Sequence, residues 1–374
     1  EKDQQESIRS NLEKLNKWKN TPSSELFKFY VDYYNNYDLD KRNSEFEIRF
    51  GTKKRENPIT KKQFDDTINK LKNCGFRVIN KRGDYRLTIN YQYYSERYES
   101  WSNSSTRVEI NGFDNIQKYC KSNNIDFDNI PSYVKFTDKR IKKYDTNNMM
   151  KMNAHRLYKS KIEDGEYPDV FHKLDINDYE MRINYKSERN VTYGKGRNGM
   201  RLKTDMNSWT DKLKTYRYIK RFTLIKEDYP IKFDFSIVKS SKVEKNKKRW
   251  GNSMVPTKNI QDSNVFNNIE EYEIELEMIN NIVIEKSNIY NKILPNIIKK
   301  GIQYVLSGLQ NSNYPIKYSL ETDIIKEYLK LTNQIDKTEK KELKKYMLQQ
   351  KKNFIGYNSI SLELENVIPE YKNQ

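Results

Sequence analysis

Glu271-Tyr272-Glu273-Ile274-Glu275-Leu276-Glu277-Met278 alternates a carboxylate with an apolar side chain at every step. Successive side chains of a β-strand point to opposite faces, so the acidic residues line one face and the apolar residues the other. A helix would scatter the same carboxylates around its circumference, so the spacing predicts a strand. Taken alone, this is an amphipathic strand with its acidic face in water. A second copy of the pattern, Glu45-Phe46-Glu47-Ile48-Arg49-Phe50-Gly51, lies near the other end of the chain. Two acidic strands so far apart point to one site assembled by the fold.

The acidic rows stand out because the chain is otherwise basic: 374 residues carry a formal charge of +18, with a pI near 9.4. Such a balance points to a polyanionic partner, nucleic acid or a polyphosphate. Cys74 and Cys120 cannot build a disulfide framework or a cysteine zinc site. With only His155 and His172 besides, a histidine-centred mechanism is not expected. No apolar run reaches membrane-spanning length and the N-terminus has no signal-peptide pattern. The expectation is a soluble intracellular protein with no membrane partner.

Along the chain, residues 7–36 read as helical and 45–50 as the first acidic strand. Thr60 and Gln63 form a capping-box pattern ahead of the stripe Phe64, Ile68 and Leu71, and Gly75 suits the end of that helix. Strand patterns follow at 86–94, 105–110, 134–144, 179–191, 216–225, 231–239 and 271–278, with a short helix at 113–122. The polar stretches 145–178 and 192–212 read as loops or insertions, and 240–268 as polar and partly mobile. Helical spacing returns at 284–310, with a break expected near Pro295, and again at 320–351. The order is that of an α+β chain built on a large antiparallel sheet or barrel.

An inward-facing acidic row requires a polar interior, which a closed barrel of about eight strands can enclose. Clustered carboxylates repel one another unless a divalent cation relieves them, and Mg²⁺ and Mn²⁺ favour such oxygen ligands. Other strands supply cations on one face: Lys232 with Asp234 and Ser236, Arg217 with Arg221, Arg182 with Asn184, Lys186 and Glu188, and Arg107 with Ser105. Metal bridging carboxylates to phosphate, with cations on the remaining oxygens, is an arrangement suited to a polyphosphate.

The paired motifs Glu45-x-Glu47 and Glu273-x-Glu275-x-Glu277 resemble those of the triphosphate tunnel metalloenzymes, specifically the metal-dependent RNA 5′-triphosphatases of fungal and large-DNA-virus mRNA-capping enzymes. Lys232-x-Asp234-x-Ser236 resembles that family's basic-x-Asp-x-Thr/Ser strand, and Arg221, Glu188, Arg107 and Lys139 fall at charged positions of other strands. The likeness covers residues 40–280. Ile219 stands where the family often has a second basic residue, with Lys220 and Arg217 as substitutes; Lys232 replaces the more usual Arg. The stretch 145–178 has no counterpart. Segment 354–371 resembles the connector into a guanylyltransferase domain, yet no Lys-x-Asp-Gly nucleophile motif is present.

The resemblance implies a barrel with flanking helices over 1–310, then a helical linker over 311–374. The chain would be the N-terminal part of a longer polypeptide carrying guanylyltransferase and methyltransferase domains, in host cytoplasm or virion. Its implied activity is removal of the γ-phosphate of 5′-triphosphate RNA. Glu45, Glu47, Glu275 and Glu277 are the implied ligands of Mg²⁺ or Mn²⁺, supported by Glu273. Arg107, Lys139, Arg182, Arg217, Arg221 and Lys232 would contact phosphate. Glu188 or Glu273 would orient the attacking water, and Asp234 its basic neighbours. Two alternatives stay open: a tunnel enzyme acting on tripolyphosphate or nucleotides, and a non-catalytic RNA-binding module of a capping complex.

Overall fold

Each expected strand is present in the computed structural model, which describes residues 23–51, 58–95, 100–142, 171–245 and 252–331. The strands are β1 (Ser44–Phe50), β2 (Arg77–Val78), β3 (Asp84–Ser95), β4 (Ser100–Asn103), β5 (Thr106–Asn111), β6 (Val134–Ile141), β7 (Leu174–Ile176), β8 (Met181–Asn190), β9 (Lys214–Ile225), β10 (Ile231–Ser240), β11 (Val243–Lys245), β12 (Asn252–Met254) and β13 (Glu271–Met278). The helices are α1 (Ser23–Asp32), α2 (Lys61–Asn73), α3 (Phe113–Ser122), α4 (Gly196–Met206), α5 (Asn280–Glu285), α6 (Ser287–Leu309) and α7 (Tyr318–Leu331).

Eight antiparallel strands close into a barrel in the order β9, β10, β13, β1, β8, β6, β5, β3. Closure comes from β3 pairing back onto β9, with Asp84 opposite Arg221 and Tyr91 opposite Lys214. Two acidic strands from opposite ends of the sequence are thereby neighbours, Glu47 lying opposite Glu277. The sheet is inside out relative to an ordinary barrel. Phe46, Ile48 and Phe50 of β1, and Ile274, Leu276 and Met278 of β13, point outward into a core shared with α1, α2 and α6. On the other side, outward residues of β3, β5, β6 and β9 make a second core with Ile116 of α3 and Leu202 and Met206 of α4. Helices cover the apolar exterior, and the charged faces are left for the interior.

Several expectations need correction. The stretch 192–212 contains α4, whose Leu202 and Met206 anchor it on the second core. Residues 174–176 of the expected insertion form β7 against β8; positions 145–170 lie outside the described residues. Within 240–268, β11 and β12 pair, and Ile260 and Val265 are buried in the second core. Pro295 sits inside α6 without breaking it. A proline removes the N–H that would bond the carbonyl four residues back, and here Asn35 Nδ2 donates to Asn291 O at 2.7 Å instead. The interruption falls at Lys286, between α5 and α6.

The chain divides into two compact units, Glu1–Pro315 and Ile316–Gln374. The second contains α7; the rest of the expected 320–351 helix and the 354–371 connector lie outside the described residues, as do residues 7–22 of the first helical stretch.

Candidate active site

Strand parity and register build a charged interior. β1 turns Glu45, Glu47 and Arg49 to one face, and β13 turns Glu273, Glu275 and Glu277 to the same side. Across from β13, Lys232, Asp234 and Ser236 of β10 stand opposite Glu277, Glu275 and Glu273. Next in order, Arg221 of β9 faces Ser236 and Thr223 faces Asp234. On the other flank, Lys186 and Asn184 of β8 pair with Glu45 and Glu47, and Lys139 of β6 with Glu188.

Ion pairs run through this interior from strand to strand. Lys232 reaches Glu277 at 2.9 Å and Asp234 at 3.2 Å, and Arg221 reaches Asp234 at 3.2 Å and Glu275 at 3.0 Å. Arg49 lies between Glu275 at 2.8 Å and Glu47 at 3.1 Å. Lys186 is 3.1 Å from Glu47, while Lys139 bridges Glu45 at 2.6 Å and Glu188 at 2.7 Å. Arg107 continues to Glu188 and Glu109, and Arg86 also meets Glu109. Arg217 holds Glu273 at 2.6 Å. Asp234 also accepts from Thr223 Oγ1 at 2.6 Å, so it contacts Arg221, Lys232 and Thr223 together. Burial opposes its ionisation, but those two cations and Thr223 hold it below the usual carboxylate range.

The carboxylates are not equivalent. Burial, then Glu47 and Glu188, push the Glu45 carboxyl up to about 7 against the pull of Lys139 and Lys186. Burial also opposes ionisation of Glu47, yet Arg49, Lys186 and Lys139 outweigh it and hold that carboxyl at about 2. Glu277 is raised by burial and by Asp234, with Lys232 opposing. Glu188 and Glu273 are buried too, but Lys139 and Arg107 lower the first, and Arg217 and Arg49 the second.

A pH dependence follows. Between its ordinary 4.5 and about 7, Glu45 keeps a proton in the folded chain that the unfolded chain has lost. Stability from this group therefore falls as pH rises through that window. Glu45→Gln is expected to flatten the decline in thermal midpoint between pH 5 and 8 in metal-free buffer. An equal decline in both proteins would assign it elsewhere.

Of the sequence-predicted residues, Glu45, Glu47, Glu188, Asp234, Glu273, Glu275 and Glu277 share this interior with Arg107, Lys139, Arg217, Arg221 and Lys232. Arg182 is held apart, bonded to Asp175 through Nε at 2.7 Å and Nη2 at 3.1 Å. Lys220 is no substitute for the basic residue missing at Ile219: its Nζ lies over the outward rings of Tyr85 and Phe222. Ile219 instead pairs with Val238, and both are buried. Arg49 and Glu109 were not anticipated as site residues, and Lys186 was read only as a cation on its strand face, although each sits two positions from a residue that was.

Among the described residues no three carboxylate, imidazole or thiol groups converge on a point where an ion could sit. The reason is visible in the pairing: Arg49 and Lys186 stand between the carboxylates that an ion would need. The donor set nevertheless suits a hard divalent cation in kind. Glu45 Oε2 lies 4.0 Å from Lys186 Nζ and Asn184 Oδ1 is a buried acceptor without a hydrogen-bond partner; a further cation would satisfy both.

No family model matches the chain, and no curated protein matches it. Among solved structures, it aligns with the RNA triphosphatase Pct1 of S. pombe at 12% identity, covering 78% of this chain and 91% of that one, with a TM-score of 0.34. The same enzyme in complex with the Spt5 CTD aligns at 11% identity, over 79% and 93% of the two chains, with a TM-score of 0.32.

Proposed function

We propose that the chain is a divalent-cation-dependent RNA 5′-triphosphatase, removing the γ-phosphate of 5′-triphosphate RNA in the first step of mRNA capping. The observation that supports this reading most is the balance of charge inside the barrel. Among the described residues, ion pairs join Glu45, Glu47, Glu109, Glu188, Asp234, Glu273, Glu275 and Glu277 to Arg49, Arg86, Arg107, Lys139, Lys186, Arg217, Arg221 and Lys232, eight of each. A simple anion-binding channel has no use for the carboxylates. Acid and base in equal number suit a ligand that arrives as phosphate and cation together.

Glu45, Glu47, Glu275 and Glu277 would hold Mg²⁺ or Mn²⁺, which when bound supplies charge compensation to the phosphoryl oxygens. Arg107, Lys139, Arg217, Arg221 and Lys232 would exchange their carboxylate partners for the triphosphate's oxygens. Phosphoryl transfer needs mainly positioning and electrostatic stabilisation, so such a cage is sufficient machinery. A water hydrogen-bonded to Glu188 or Glu273 attacks the γ-phosphorus, the bond to the bridging oxygen breaks, and RNA leaves as its 5′-diphosphate. That product is the substrate of guanylylation, so the reading includes guanylyltransferase, and further methyltransferase, domains of a longer polypeptide as partners. It places the protein wherever new transcripts are capped.

The cation exchange has a measurable consequence. Phosphate that draws Arg49 and Lys186 off Glu47 frees ligands for metal, and binding free energies are reciprocal. Mn²⁺ is expected to bind the protein at least about tenfold more tightly when a non-hydrolysable triphosphate is present. Equal Mn²⁺ affinity with and without it would contradict the exchange. Comparing triphosphate RNA, ATP and tripolyphosphate as substrates separates the capping reading from a general tunnel phosphatase.

A further inference from the structure

Beyond Glu188, the inward face of β8 continues to Asn190, about 7 Å further along the strand. Lys135 stands on the same face of β6 as Lys139, about 13 Å away at the rise of a strand. Both residues line a cleft of about 500 Å³ at this rim, whose other walls include Phe127, Pro131 and Tyr193. The aromatic residues form a row. Phe127 and Tyr193 stack with centroids 5.7 Å apart and planes inclined 25°; Phe136 and Tyr193 lie 6.0 Å apart at 30°. Phe127 and Tyr193 are only half-buried and Lys135 is exposed, so the row remains accessible from the cleft.

A flat, accessible ring system with two polar side chains beside it, Asn190 and Lys135, answers the base of a nucleotide.

We propose that the cleft receives the base of the nucleotide whose 5′-triphosphate occupies the tunnel. The inference rests on the triphosphate reading of the tunnel but not on hydrolysis. The base stacks on the Tyr193 row, and Asn190 and Lys135 face its edge. Stacking tolerates any base, so the cleft would select nucleotide ends over bare polyphosphate without reading sequence.

The test is equilibrium binding of the β,γ-methylene analogues of ATP and of tripolyphosphate to the full chain at equal Mn²⁺. Tyr193→Leu keeps an apolar filling but removes the ring, and is expected to weaken the ATP analogue about tenfold while leaving the base-free analogue unaltered. Tyr193→Phe keeps the ring and is expected to bind both as the unaltered protein does. The inference is overturned if Tyr193→Leu weakens both analogues equally or neither, or if the unaltered protein binds neither. A protein that passes this test yet releases no phosphate from any triphosphate would retain the base cleft and lose the triphosphatase reading.

Discussion

Glu45→Ala and Glu277→Ala are each expected to lower γ-phosphate release from triphosphate RNA at least about a hundredfold, equivalent to ~3 kcal/mol of transition-state stabilisation. Each removes one of the carboxylates assigned to the divalent ion, and each also releases a cation from its partner. Glu45 loses Lys139, held at 2.6 Å, and Glu277 loses Lys232, held at 2.9 Å. If the carboxylates served only to pair those cations, leaving Lys139 with Glu188 alone and Lys232 with Asp234 alone would strengthen phosphate binding and leave the rate near normal. The rates therefore separate metal ligation from structural pairing. Near-normal release by both variants would remove the assignment.

Lys142→Met is expected to produce the largest loss of stability, about 3–5 kcal/mol, because it strands a buried carboxylate. Asp38 and Lys142 have side chains 1% and 7% exposed and meet at 2.8 Å. Lys142 also donates to Ser44 Oγ at 2.6 Å. Ser44 and Tyr185 both donate to Asp38 Oδ2 at 2.5 Å. With Lys142 gone, the carboxylate keeps its hydroxyl donors but loses the cation in direct contact with it, in a low-dielectric setting. The double variant Asp38→Asn with Lys142→Met removes both charges and is expected to recover most of the loss. Denaturant midpoints of the single and double variants decide the matter; equal midpoints would mean the ion pair is not what fails. Ser44 precedes Glu45, and Lys142 follows Lys139 by three positions, so this cluster also secures two strands at the site.

The barrel was legible because its strands announce themselves by alternation, and β13 and β1 do so with charge. What alternation cannot supply is partnership. Closure depends on β3 meeting β9, whose paired residues Asp84 and Arg221 are far apart in sequence. The inward direction of the acidic rows was inferred from the need to place basic rows opposite them, and the register of β1, β13 and β10 bears this out. The interruption at Lys286 and the continuity through Pro295 were misjudged because the donor to Asn291 O comes from Asn35, distant in the chain. The helix α4 was hidden by Gly194, Gly196 and Gly199, which punctuate its start, and by the shortness of its apolar side.

Within the site, strand parity identified most of the carboxylates and cations but not their pairing. Arg49 was readable as an inward residue, two positions after Glu47. Its role between Glu47 and Glu275 depends on a long side chain crossing to a neighbouring strand, which spacing does not encode. The same holds for Lys186. Arg182 obeys the parity rule and still stands apart, because β7 brings Asp175 alongside it. Local pattern thus assigned faces, and the fold assigned partners.

The central claim is metal-dependent cleavage of a terminal phosphate inside this barrel. Its most direct test is the initial rate of phosphate release from γ-labelled 5′-triphosphate RNA by the full chain, with Mg²⁺ or Mn²⁺ and again in excess chelator. The account predicts release with at least one of the two ions, a 5′-diphosphate RNA as the other product, and no release in chelator. Release undiminished by chelator, or none with either ion, would contradict it.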